Sequence, residues 1–564
     1  MNGAEAILNA FEQHHIDTVF GYPGGCIMPL YDALVSRNVK HILCRHEQGC
    51  ALAADGYARA SGRIGVCIAT SGPGATNLIT GVANAYMDSI PLLVITGQVP
   101  SALIGTDAFQ ETDILGMTLG IVKHSYLVTD ANEIPQIVAE AITLATSGRP
   151  GPVWIDLPKD VLLSEIINTE AVEESHQPAS TAAQTSTATT AVDMILQAKK
   201  PLLYTGGGVH LDNAVTELQQ LIQLTAIPHV CTLKGIGNAG KNTACDLGML
   251  GMHGSRAANL AVEECDLLIA IGARFDDRAT GKVSTFAPAA KIIHIDCDAA
   301  EIGKLKNVEL SIRSSLKSFL AQIYDDLQSH SATLQASTAE WKAHCQALKR
   351  THGFAMSANT VDDCGPIAGP AFVNMLSSLA PADTIVSCDV GQHQMWVAQY
   401  FSFATPQQHL SSGGLGTMGF GLPAAIGAQL AAPDKPVVNI SGDGSIMMNI
   451  QEMATIKRYG LPIKIIVLDN QHLGMVRQQQ ELFYEKNYSE VDLSDNPEFT
   501  DLAKAFGMKA LKVTHANQMR RGIETLFAYS GAMLLHVCID QTENVWPIVK
   551  PGASNKEMIE GASA

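Results

Sequence analysis

Short apolar runs alternate with helix-like patterns along the whole chain. In the first part, runs such as HILC and IGVCIA are each followed by a segment with apolar residues at helical spacing. The same rhythm returns in the middle, in LLIAIGARFDD, and near the end, in PIKIIVLDN. Strands that alternate with helices favour parallel sheets with helices on both faces. The predicted fold class is therefore α/β, with three domains built on mainly parallel sheets.

Two polar breaks divide this pattern. The Ser-, Thr- and Ala-rich stretch SHQPASTAAQTSTATT is typical of a surface linker. A second, more polar stretch (331–365) is expected to be helical first and then irregular. At roughly 150 residues per domain, the length of 564 residues suggests three or four domains, or three larger ones, and the pattern favours three. The predicted units are a first domain (1–165), a linker (166–190), a second domain (191–330), a linker (331–365) and a third domain (366–564).

The most informative stretch lies in the third segment, at residues 436–470. An apolar run ends in SGDGS, a helical pattern over 446–458 is followed by Gly460 as its cap, and a second apolar run ends at Asn470. This is a βαβ unit, whose two strands are expected to be parallel. Asp443 and Asn470 then follow the carboxyl ends of neighbouring strands, where α/β sheets bind ligands.

The residue types at these two strand ends point to a metal. Asp443 supplies an anionic oxygen and Asn470 a neutral amide oxygen, which suit Mg²⁺ or Ca²⁺. Mg²⁺ seldom takes all its ligands from protein, so two side chains leave room for diphosphate oxygens. Gly444 allows the backbone to approach phosphates, and the helix beginning near Ser445 directs its amides toward them. A GDG turn alone is usually a plain turn; the asparagine after the second strand favours a metal–diphosphate site.

The charge balance argues against several classes of function. The chain has 37 Lys and Arg against 55 Asp and Glu, a net charge of -18, which disfavours nucleic-acid binding and docking on an anionic membrane. No apolar run approaches the roughly 18 residues of a membrane span, and the first residues lack a signal pattern. The 12 cysteines are scattered without metal-type pairs, which favours reduced thiols in a cytoplasmic enzyme.

GDG followed by Asn470 resembles the cofactor motif of thiamine-diphosphate-dependent enzymes. The resemblance covers essentially the whole chain and is most specific to the large catalytic subunits of acetolactate (acetohydroxyacid) synthases. It rests on GYPGG, CRHEQG, SGPGATN, GTDAFQE, GRPGPV, LGMLGMHG, GARFDDR, DVGQHQMW and GLGTMGFGLPAAIGA. It implies a pyrimidine-binding domain, an FAD-associated central domain and a diphosphate-binding domain. It also implies that the backbone carbonyl of His472 is a third metal ligand.

The resemblance gives roles to residues whose sequence context alone is not specific. Glu47, which would otherwise be a helix-start acid stabilised by the helix dipole, is implied to hydrogen-bond N1′ of the aminopyrimidine and so activate C2 of the thiazolium. Met418, which would otherwise fill a core, is implied to hold the cofactor rings in a bent conformation. The other implied cofactor contacts are Gly391, Gln392, His393, Gly416, Gly444, Ser445 and Met475.

The middle segment resembles a flavin site. The glycine cluster at 206–208 is weak evidence alone, because no full GxGxxG pattern follows. The resemblance implies FAD in a structural role with no net redox chemistry, bound by Arg149, Gly207, Thr232, Met252, His253, Gly272, Arg274, Asp276 and Asp296. Arg278, in the motif RFDDR that is otherwise a solvated charged loop, is implied to fix the carboxylate of the second 2-oxo acid, which suits a forked, permanently charged donor.

The resemblance also implies a substrate channel near Gln110, Phe109 and Lys159, each of which has an ordinary reading as a loop or surface residue. One position departs from the pattern: many members have VRQWQ where this chain has VRQQQ, so Gln479 replaces a tryptophan. In the family that ring packs against the extra methylene of 2-oxobutanoate. A shaped pocket discriminates one methylene by ~1–3 kcal/mol, so a weaker preference for 2-oxobutanoate is expected here.

The implied reaction begins with decarboxylation of pyruvate on thiamine diphosphate. The hydroxyethyl unit then passes to a second pyruvate, giving 2-acetolactate, or to 2-oxobutanoate, giving 2-aceto-2-hydroxybutanoate. This is the first common step toward valine, leucine and isoleucine. The implied cofactors are thiamine diphosphate, Mg²⁺ and FAD. The implied assembly is a homodimer that places Glu47 and Asp443 of one site on different chains, with a dimer of dimers left open and a separate small regulatory subunit as partner.

Three kinds of alternative remain open at this stage. The first is another thiamine-diphosphate enzyme, such as pyruvate oxidase, glyoxylate carboligase or a 2-oxo acid decarboxylase; the presence of Glu47 speaks against the carboligase, which lacks it. The second is an ordinary flavin or nicotinamide dehydrogenase, which would need neither Mg²⁺ nor thiamine diphosphate. The third is a noncatalytic flavin-bearing scaffold, for which loss of Asp443 would change only partner binding.

Overall fold

The strands form where the apolar runs are longest and richest in β-branched residues, as in KIIVLD, whose first five residues are buried. The computed structural model describes residues 1–167, 185–240, 245–354 and 364–561. These residues form three six-stranded sheets, and all of the strand pairs within them are parallel. The prediction of an α/β protein with three parallel sheets is confirmed.

The first unit contains six strands and seven α-helices. The strands are β1 (Thr18–Gly21), β2 (Lys40–Leu43), β3 (Gly65–Ala69), β4 (Leu92–Gln98), β5 (His124–Leu127) and β6 (Val153–Pro158). The helices are α1 (Gly3–Gln13), α2 (Met28–Leu34), α3 (Glu47–Ser61), α4 (Pro73–Asp88), α5 (Ile114–Thr118), α6 (Ile134–Thr146) and α7 (Lys159–Leu163).

The central unit contains six strands and eight α-helices. The strands are β7 (Pro201–Thr205), β8 (His229–Cys231), β9 (Asp246–Met249), β10 (Leu267–Ile271), β11 (Lys291–Asp296) and β12 (Leu310–Arg313). The helices are α8 (Thr185–Gln197), α9 (Gly208–Leu211), α10 (Val215–Thr225), α11 (Arg256–Glu264), α12 (Asp277–Thr280), α13 (Leu316–Gln328), α14 (Ser331–Ser337) and α15 (Ala339–His352).

The third unit contains six strands and eight α-helices. The strands are β13 (Ile385–Cys388), β14 (His409–Ser411), β15 (Val437–Gly442), β16 (Lys464–Asp469), β17 (Lys509–Val513) and β18 (Met533–Cys538). The helices are α16 (Gly369–Leu379), α17 (Gln392–Tyr400), α18 (Gly421–Ala431), α19 (Asp443–Met447), α20 (Met453–Tyr459), α21 (Gly474–Phe483), α22 (Phe499–Ala505) and α23 (Met519–Ala528).

Parts of both stretches expected as linkers contribute helices to the central unit. Helix α8 begins within the first, and its buried side chains join the core formed by β7, β10 and β11. Helices α14 and α15 occupy most of the second, and Trp341 of α15 is buried with its indole N–H donating to the carbonyl of Pro201 at 2.9 Å. The remaining parts of the two stretches, 168–184 and 355–363, lie outside the described residues. Helices α14 and α15 agree with the expectation that 331–365 begins as helix, whereas the start of α8 lies in a stretch that was expected to be only a linker.

The order of strands differs between the units. The first sheet runs β2-β1-β3-β4-β6-β5, and the third sheet runs β14-β13-β15-β16-β18-β17, which is the same order by position. The central sheet runs β9-β8-β7-β10-β11-β12, the order typical of dinucleotide-binding folds, with its switch point between β7 and β10. The two outer units therefore share one architecture, and the central unit has another.

The first and third units pack through α3 and α18. One hydrophobic cluster contains residues of both units, including Phe20 and Phe420. The two helices approach so closely that a Cβ added at Gly427 would lie 1.9 Å from the carbonyl oxygen of Ala53 and 2.5 Å from the amide nitrogen of Tyr57. Glycine is required there because backbone meets backbone. No helix in the described part of the chain is long and apolar enough to cross a membrane.

We expect Gly427→Ala to destabilise the protein, because its methyl group would overlap α3 and force the two units apart. Overpacking of this kind costs about 3 kcal/mol, so the midpoint of urea unfolding should fall clearly. Gly120→Ala is the matched control, since its added Cβ meets nothing within 4 Å. Equal midpoints for the two variants would contradict the tight α3–α18 contact.

Candidate active site

The site begins at the carboxyl ends of β15 and β16, which are neighbours in register from Val438 with Lys464 to Gly442 with Leu468. Asp443 follows β15 and Asn470 follows β16, as the βαβ interpretation predicts. Asp443 is only 2% exposed, and its Oδ2 has no hydrogen-bond partner among the described residues. A buried carboxylate oxygen without a donor is costly unless a cation or proton reaches it.

The electrostatics of Asp443 favour a bound cation. Burial raises the pKa of Asp443, and the neighbouring carboxylate of Asp469 raises it further, to about 8. A proton or a divalent ion would relieve this cost, and hard oxygen ligands favour Mg²⁺ or Ca²⁺ among metals. The residues present thus fit the divalent ion predicted from the sequence.

Asn470 is held in place by two hydrogen bonds. Its Nδ2 donates to Oε1 of Gln392 at 3.1 Å, and its Oδ1 accepts the amide of His472 at 3.1 Å. The ring of His472 folds back, with Nδ1 2.8 Å from the carbonyl oxygen of Asn470. The intervening Gln471 has φ +57°, the left-handed region, so the turn that carries the predicted ligands is sharp. Gln392, one of the predicted cofactor contacts, thus also orients a predicted metal ligand.

The loop that follows β13 lies against the loop that follows β15. Gly391 precedes α17, and a Cβ added there would lie 2.7 Å from the ring of His393. A Cβ at Gly442 would lie 3.0 Å from the same ring. His393 is buried, its Nε2 has no partner among the described residues, and burial lowers its pKa to about 3. The neutral imidazole therefore leaves one ring nitrogen available for a ligand at this edge.

Gly444 and Ser445 lie at the start of α19. The amide of Gly442 donates to Oγ of Ser445 at 3.0 Å, so this hydroxyl closes the turn. A Cβ at Gly444 would lie 2.8 Å from Leu473 and 3.8 Å from Cε of Met418. The end of the Met418 side chain therefore lies close to the GDG turn, and its implied role toward the cofactor rings stays a prediction. Met475, the second residue of α21, is half-buried and follows the turn of the predicted metal ligands by three residues.

The segment that carries Met418 is fixed on both sides. The amide of Gly419 donates to Oδ1 of the buried Asp389 at 2.9 Å, and its carbonyl accepts Nδ2 of Asn449 at 2.8 Å. The prediction of a single helix over 446–458 is wrong, because the chain breaks near Asn449 into α19, a 3-10 turn and α20. The Asn449 side chain serves the glycine-rich segment. Gly460 caps α20 with φ +62°, as predicted, and Gly416 has φ +69°.

Glu47 is the first residue of α3, at the edge of the first sheet. Its Oε2 accepts Nδ2 of Asn77 at 3.0 Å. A Cβ at Gly74 would lie 3.5 Å from its Oε1, so the SGPGATN loop closes over this carboxylate. Among the described residues, its hydrogen bond is to its own unit, and none joins it to Asp443, Asn470 or Met418.

The predicted flavin residues share the carboxyl edge of the central sheet. Gly207 follows β7, Thr232 follows β8, Met252 and His253 follow β9, Gly272, Arg274 and Asp276 follow β10, and Asp296 ends β11. The loops after β7 and β10 meet at the switch point, where a Cβ at Gly206 would lie 2.2 Å from the carbonyl oxygen of Gly272. Burial raises the pKa of Asp276 and of Asp296.

Arg149 and Arg278 have different surroundings. Arg149 joins the first unit to the central unit, since its Nη1 lies 2.8 Å from Glu301 and 3.3 Å from Asp298. The Arg278 side chain is 63% exposed, with Nη1 3.6 Å from the sulfur of Met252. The structure therefore places Arg278 beside a predicted flavin residue and leaves its guanidinium open to a ligand.

The channel residues lie at the rim of the first unit. A Cβ at Gly72 would lie 2.8 Å from the carbonyl oxygen of Gln110, so Gln110 contacts the SGPGATN loop. Phe109 is 87% exposed. Lys159 is the first residue of α7, directly after β6. Gln479 is an exposed residue of α21.

Sequence reasoning missed several residues that organise the site. Asn77 and Glu452 contact the Glu47 segment: Asn77 donates to the Glu47 carboxylate, and Oε1 of Glu452 accepts the amide of Arg45 at 2.8 Å.

His536 is another residue that the sequence did not indicate, and it lies between Asp469 and Glu498. Burial opposes its charged form, but hydrogen bonds to Asp469, Cys538 and Glu498 outweigh burial and raise its pKa to about 10. The contacts of Asn77, Glu452 and His536 depend on sheet register and packing. Only His536 left a signal in the sequence, as a polar residue within the apolar strand β18.

Comparison with known proteins agrees with this geometry. Three family models match the chain: the thiamine pyrophosphate enzyme N-terminal TPP binding domain at 1–117, the central domain at 188–323 and the C-terminal TPP binding domain at 389–537.

Curated relatives match over nearly the full length. The acetolactate synthase isozyme 2 large subunit of Escherichia coli (strain K12) is 51% identical over all of both chains. The acetolactate synthase large subunit of Parasynechococcus marenigrum is 47% identical, over 99% of this chain and 91% of its own. The chloroplastic acetolactate synthase of Arabidopsis thaliana is 45% identical, over 99% and 84%. The chain therefore belongs to the thiamine pyrophosphate enzyme family and, within it, to the acetolactate synthase large subunits.

Proposed function

We propose that this chain is the catalytic subunit of an acetolactate synthase, which joins two 2-oxo acids with loss of CO₂. Pyruvate is the donor, and a second pyruvate or 2-oxobutanoate is the acceptor, at the start of branched-chain amino acid synthesis. The observation that carries the proposal is a buried carboxylate oxygen of Asp443 that has no partner among the described residues, at the strand end next to that of Asn470, in a chain about half identical to an acetolactate synthase large subunit. When bound, thiamine diphosphate supplies the electron sink that makes decarboxylation feasible.

Asp443, Asn470 and the carbonyl of His472 are proposed to hold Mg²⁺, which would anchor the cofactor diphosphate. The support is that Oδ2 of Asp443 has no partner in the described part of the chain, and that two hydrogen bonds fix the orientation of the Asn470 amide. Gly444 offers a backbone that a ligand can approach, and the neutral His393 presents a ring nitrogen without a partner among the described residues. These groups bind and orient; they transfer no proton in this proposal.

Glu47 is proposed to act on the aminopyrimidine as proton acceptor and donor. Its support is a carboxylate held by Asn77 at the edge of the first sheet. Because its contact within the chain is to its own unit, we propose that it serves a site completed by the third unit of another copy. Exposed apolar side chains around the glycine-rich segment, Met87, Leu415 and Met448, fit such a contact between copies.

FAD is proposed to bind at the carboxyl edge of the central sheet. The dinucleotide-type strand order and the meeting of the β7 and β10 loops support this site. Arg278 beside it is proposed to bind the acceptor carboxylate, since its guanidinium is exposed and forked. A small regulatory subunit as a separate chain is part of the proposal, supported by the relatives named large subunits. A cytoplasmic location completes it, supported by the 12 scattered cysteines, which favour reduced thiols.

The test of this function is an acetolactate assay on the purified chain. Thiamine diphosphate, Mg²⁺ and FAD are omitted one at a time, and flavin absorbance is followed during turnover. We expect acetolactate from pyruvate, loss of product without thiamine diphosphate or Mg²⁺, and no bleaching of the flavin. Flavin bleaching in step with product would favour an oxidase, and acetaldehyde without acetolactate would favour a decarboxylase.

We expect Glu47→Gln to keep the fold and to lower acetolactate formation at least about 100-fold, a typical contribution of positioned acid–base groups. The amide can accept the Asn77 hydrogen bond but carries no charge. Turnover at saturating cofactor and the unfolding midpoint are the measurements. Glu133→Gln, an exposed acid of the same unit, is the matched control. Turnover equal to that of wild type would defeat the role of Glu47.

We expect Gln479→Trp to raise the preference for 2-oxobutanoate over pyruvate as acceptor. A ring at this position can pack against the extra methylene, and ~1 kcal/mol of such contact changes a product ratio by roughly 5-fold. Mixed-substrate assays that measure 2-aceto-2-hydroxybutanoate against 2-acetolactate check this. A wild-type ratio already strongly in favour of 2-aceto-2-hydroxybutanoate would contradict the argument from the missing ring.

A further inference from the structure

His536 lies behind the proposed metal turn, on a strand that the proposed mechanism does not use. Strand β18 pairs with β16 so that His536 is opposite Val467, and Asp469 is opposite Cys538. The His536 side chain is 2% exposed. Its Nε2 lies 2.7 Å from Oδ2 of Asp469, and its Nδ1 lies 3.0 Å from Oε1 of Glu498. Since each carboxylate accepts a hydrogen, both ring nitrogens carry one and the ring is a cation.

Asp469 connects this ring to the metal turn. It is the last residue of β16 and directly precedes Asn470. While Oδ2 faces His536, Oδ1 accepts the amide of Gln471 at 2.9 Å. Gln471 is the residue in the left-handed region, and the turn continues through its amide to His472. One carboxylate thus links the imidazolium to the backbone between the two proposed ligands.

The other side of His536 is anchored on rigid elements. Glu498 caps α22, accepting the hydroxyl of Thr500 at 3.1 Å, and its Oε2 lies 2.6 Å from Nζ of Lys512 on β17. The chain of contacts therefore runs from β17 through α22 and β18 to the end of β16. Each of these side-chain links joins a cation to a carboxylate, so each hydrogen bond is of the stronger, charge-assisted kind.

The position of the cation also matters for charge. Asp469 stands beside Asp443, and two neighbouring carboxylates in a buried place repel each other. The imidazolium of His536, 2.7 Å from Oδ2 of Asp469, offsets the negative charge of that carboxylate. The proposed metal on the other side then has the carboxylate of Asp443 as its only charged protein ligand, beside the neutral oxygens of Asn470 and His472.

We propose that His536 is a positioning residue that holds the carboxylate of Asp469 and thereby the metal-binding turn 470–472 in its ligating geometry. The proposal rests on the proposed function, because it assigns the turn to the metal of the thiamine diphosphate site. A purely structural ion pair would stabilise the fold without affecting the metal, and the two roles make different predictions.

The test compares His536→Gln, Asp469→Asn and the double variant. In apo protein with thiamine diphosphate at a fixed concentration, Mg²⁺-dependent cofactor binding is followed by titration calorimetry. We expect His536→Gln to weaken the Mg²⁺ dependence about 10-fold, with turnover at saturating Mg²⁺ within about 2-fold of wild type. The double variant should regain most of the affinity, because two neutral amides can bond to each other and no unbalanced carboxylate remains. His515→Gln, an exposed histidine of the same unit, is the control.

Amide hydrogen exchange of the apo protein supplies a second readout. We expect faster exchange within 470–474 in His536→Gln and unchanged exchange in α20. Unchanged Mg²⁺ affinity in a folded His536→Gln protein, or a double variant as weak as the single one, would overturn the proposal. If His536→Gln does not fold, the double variant decides: wild-type-like Mg²⁺ affinity supports the proposal and weakened affinity refutes it. Absence of acetolactate formation by wild type would refute the proposed function instead, while the binding comparison would still stand.

Discussion

The structure depends on one electrostatic constraint: a carboxylate that is buried at the end of a strand must be neutralised by a cation or a proton. Asp443 is fixed by the register of β15 and β16, and its Oδ2 finds no donor among the described residues. Burial of such an oxygen is tolerated only if a cation or a proton completes it. The neighbouring loops place three side chains close to this carboxylate and its turn. Gln392 orients the Asn470 amide, the ring of His393 packs against the GDG turn, and Met418 approaches the same turn.

The same constraint explains how the three units are tied together. Asp88, at the end of α4, is a second buried carboxylate, and it is fully paired. It lies 2.9 Å from Arg59 of its own unit and 3.3 Å from Lys234 of the central unit. It also accepts the amides of Gly413 and Gly414 of the third unit at 3.1 Å and 2.7 Å. Asp88 thus contacts all three units, and its third-unit partners directly precede the segment that carries Met418. Domain packing and the proposed cofactor site therefore share this contact.

The sequence predicts those features that depend on periodicity and on local turns. Three parallel sheets, the βαβ unit and the meeting of Asp443 with Asn470 follow from strand ends that must share an edge. Family resemblance adds residue roles that no spacing could supply, such as that of Glu47. A helical start of the stretch 331–365 was expected, but the packing of α15 on the central unit was not, because the faces of these helices are mostly polar. The Asn449 break was missed because its cause, a bond to the Gly419 carbonyl, lies 30 residues away in sequence. His536 escaped notice since strand register alone brings it to Asp469.

The most direct test of the account is a crystal structure of the protein with thiamine diphosphate and Mg²⁺. The account predicts a metal ion bound by a carboxylate oxygen of Asp443, the side-chain oxygen of Asn470 and the carbonyl of His472, with the cofactor phosphates completing its coordination. A metal and diphosphate bound at any other strand edge, with Asp443 still facing no cation, would contradict it.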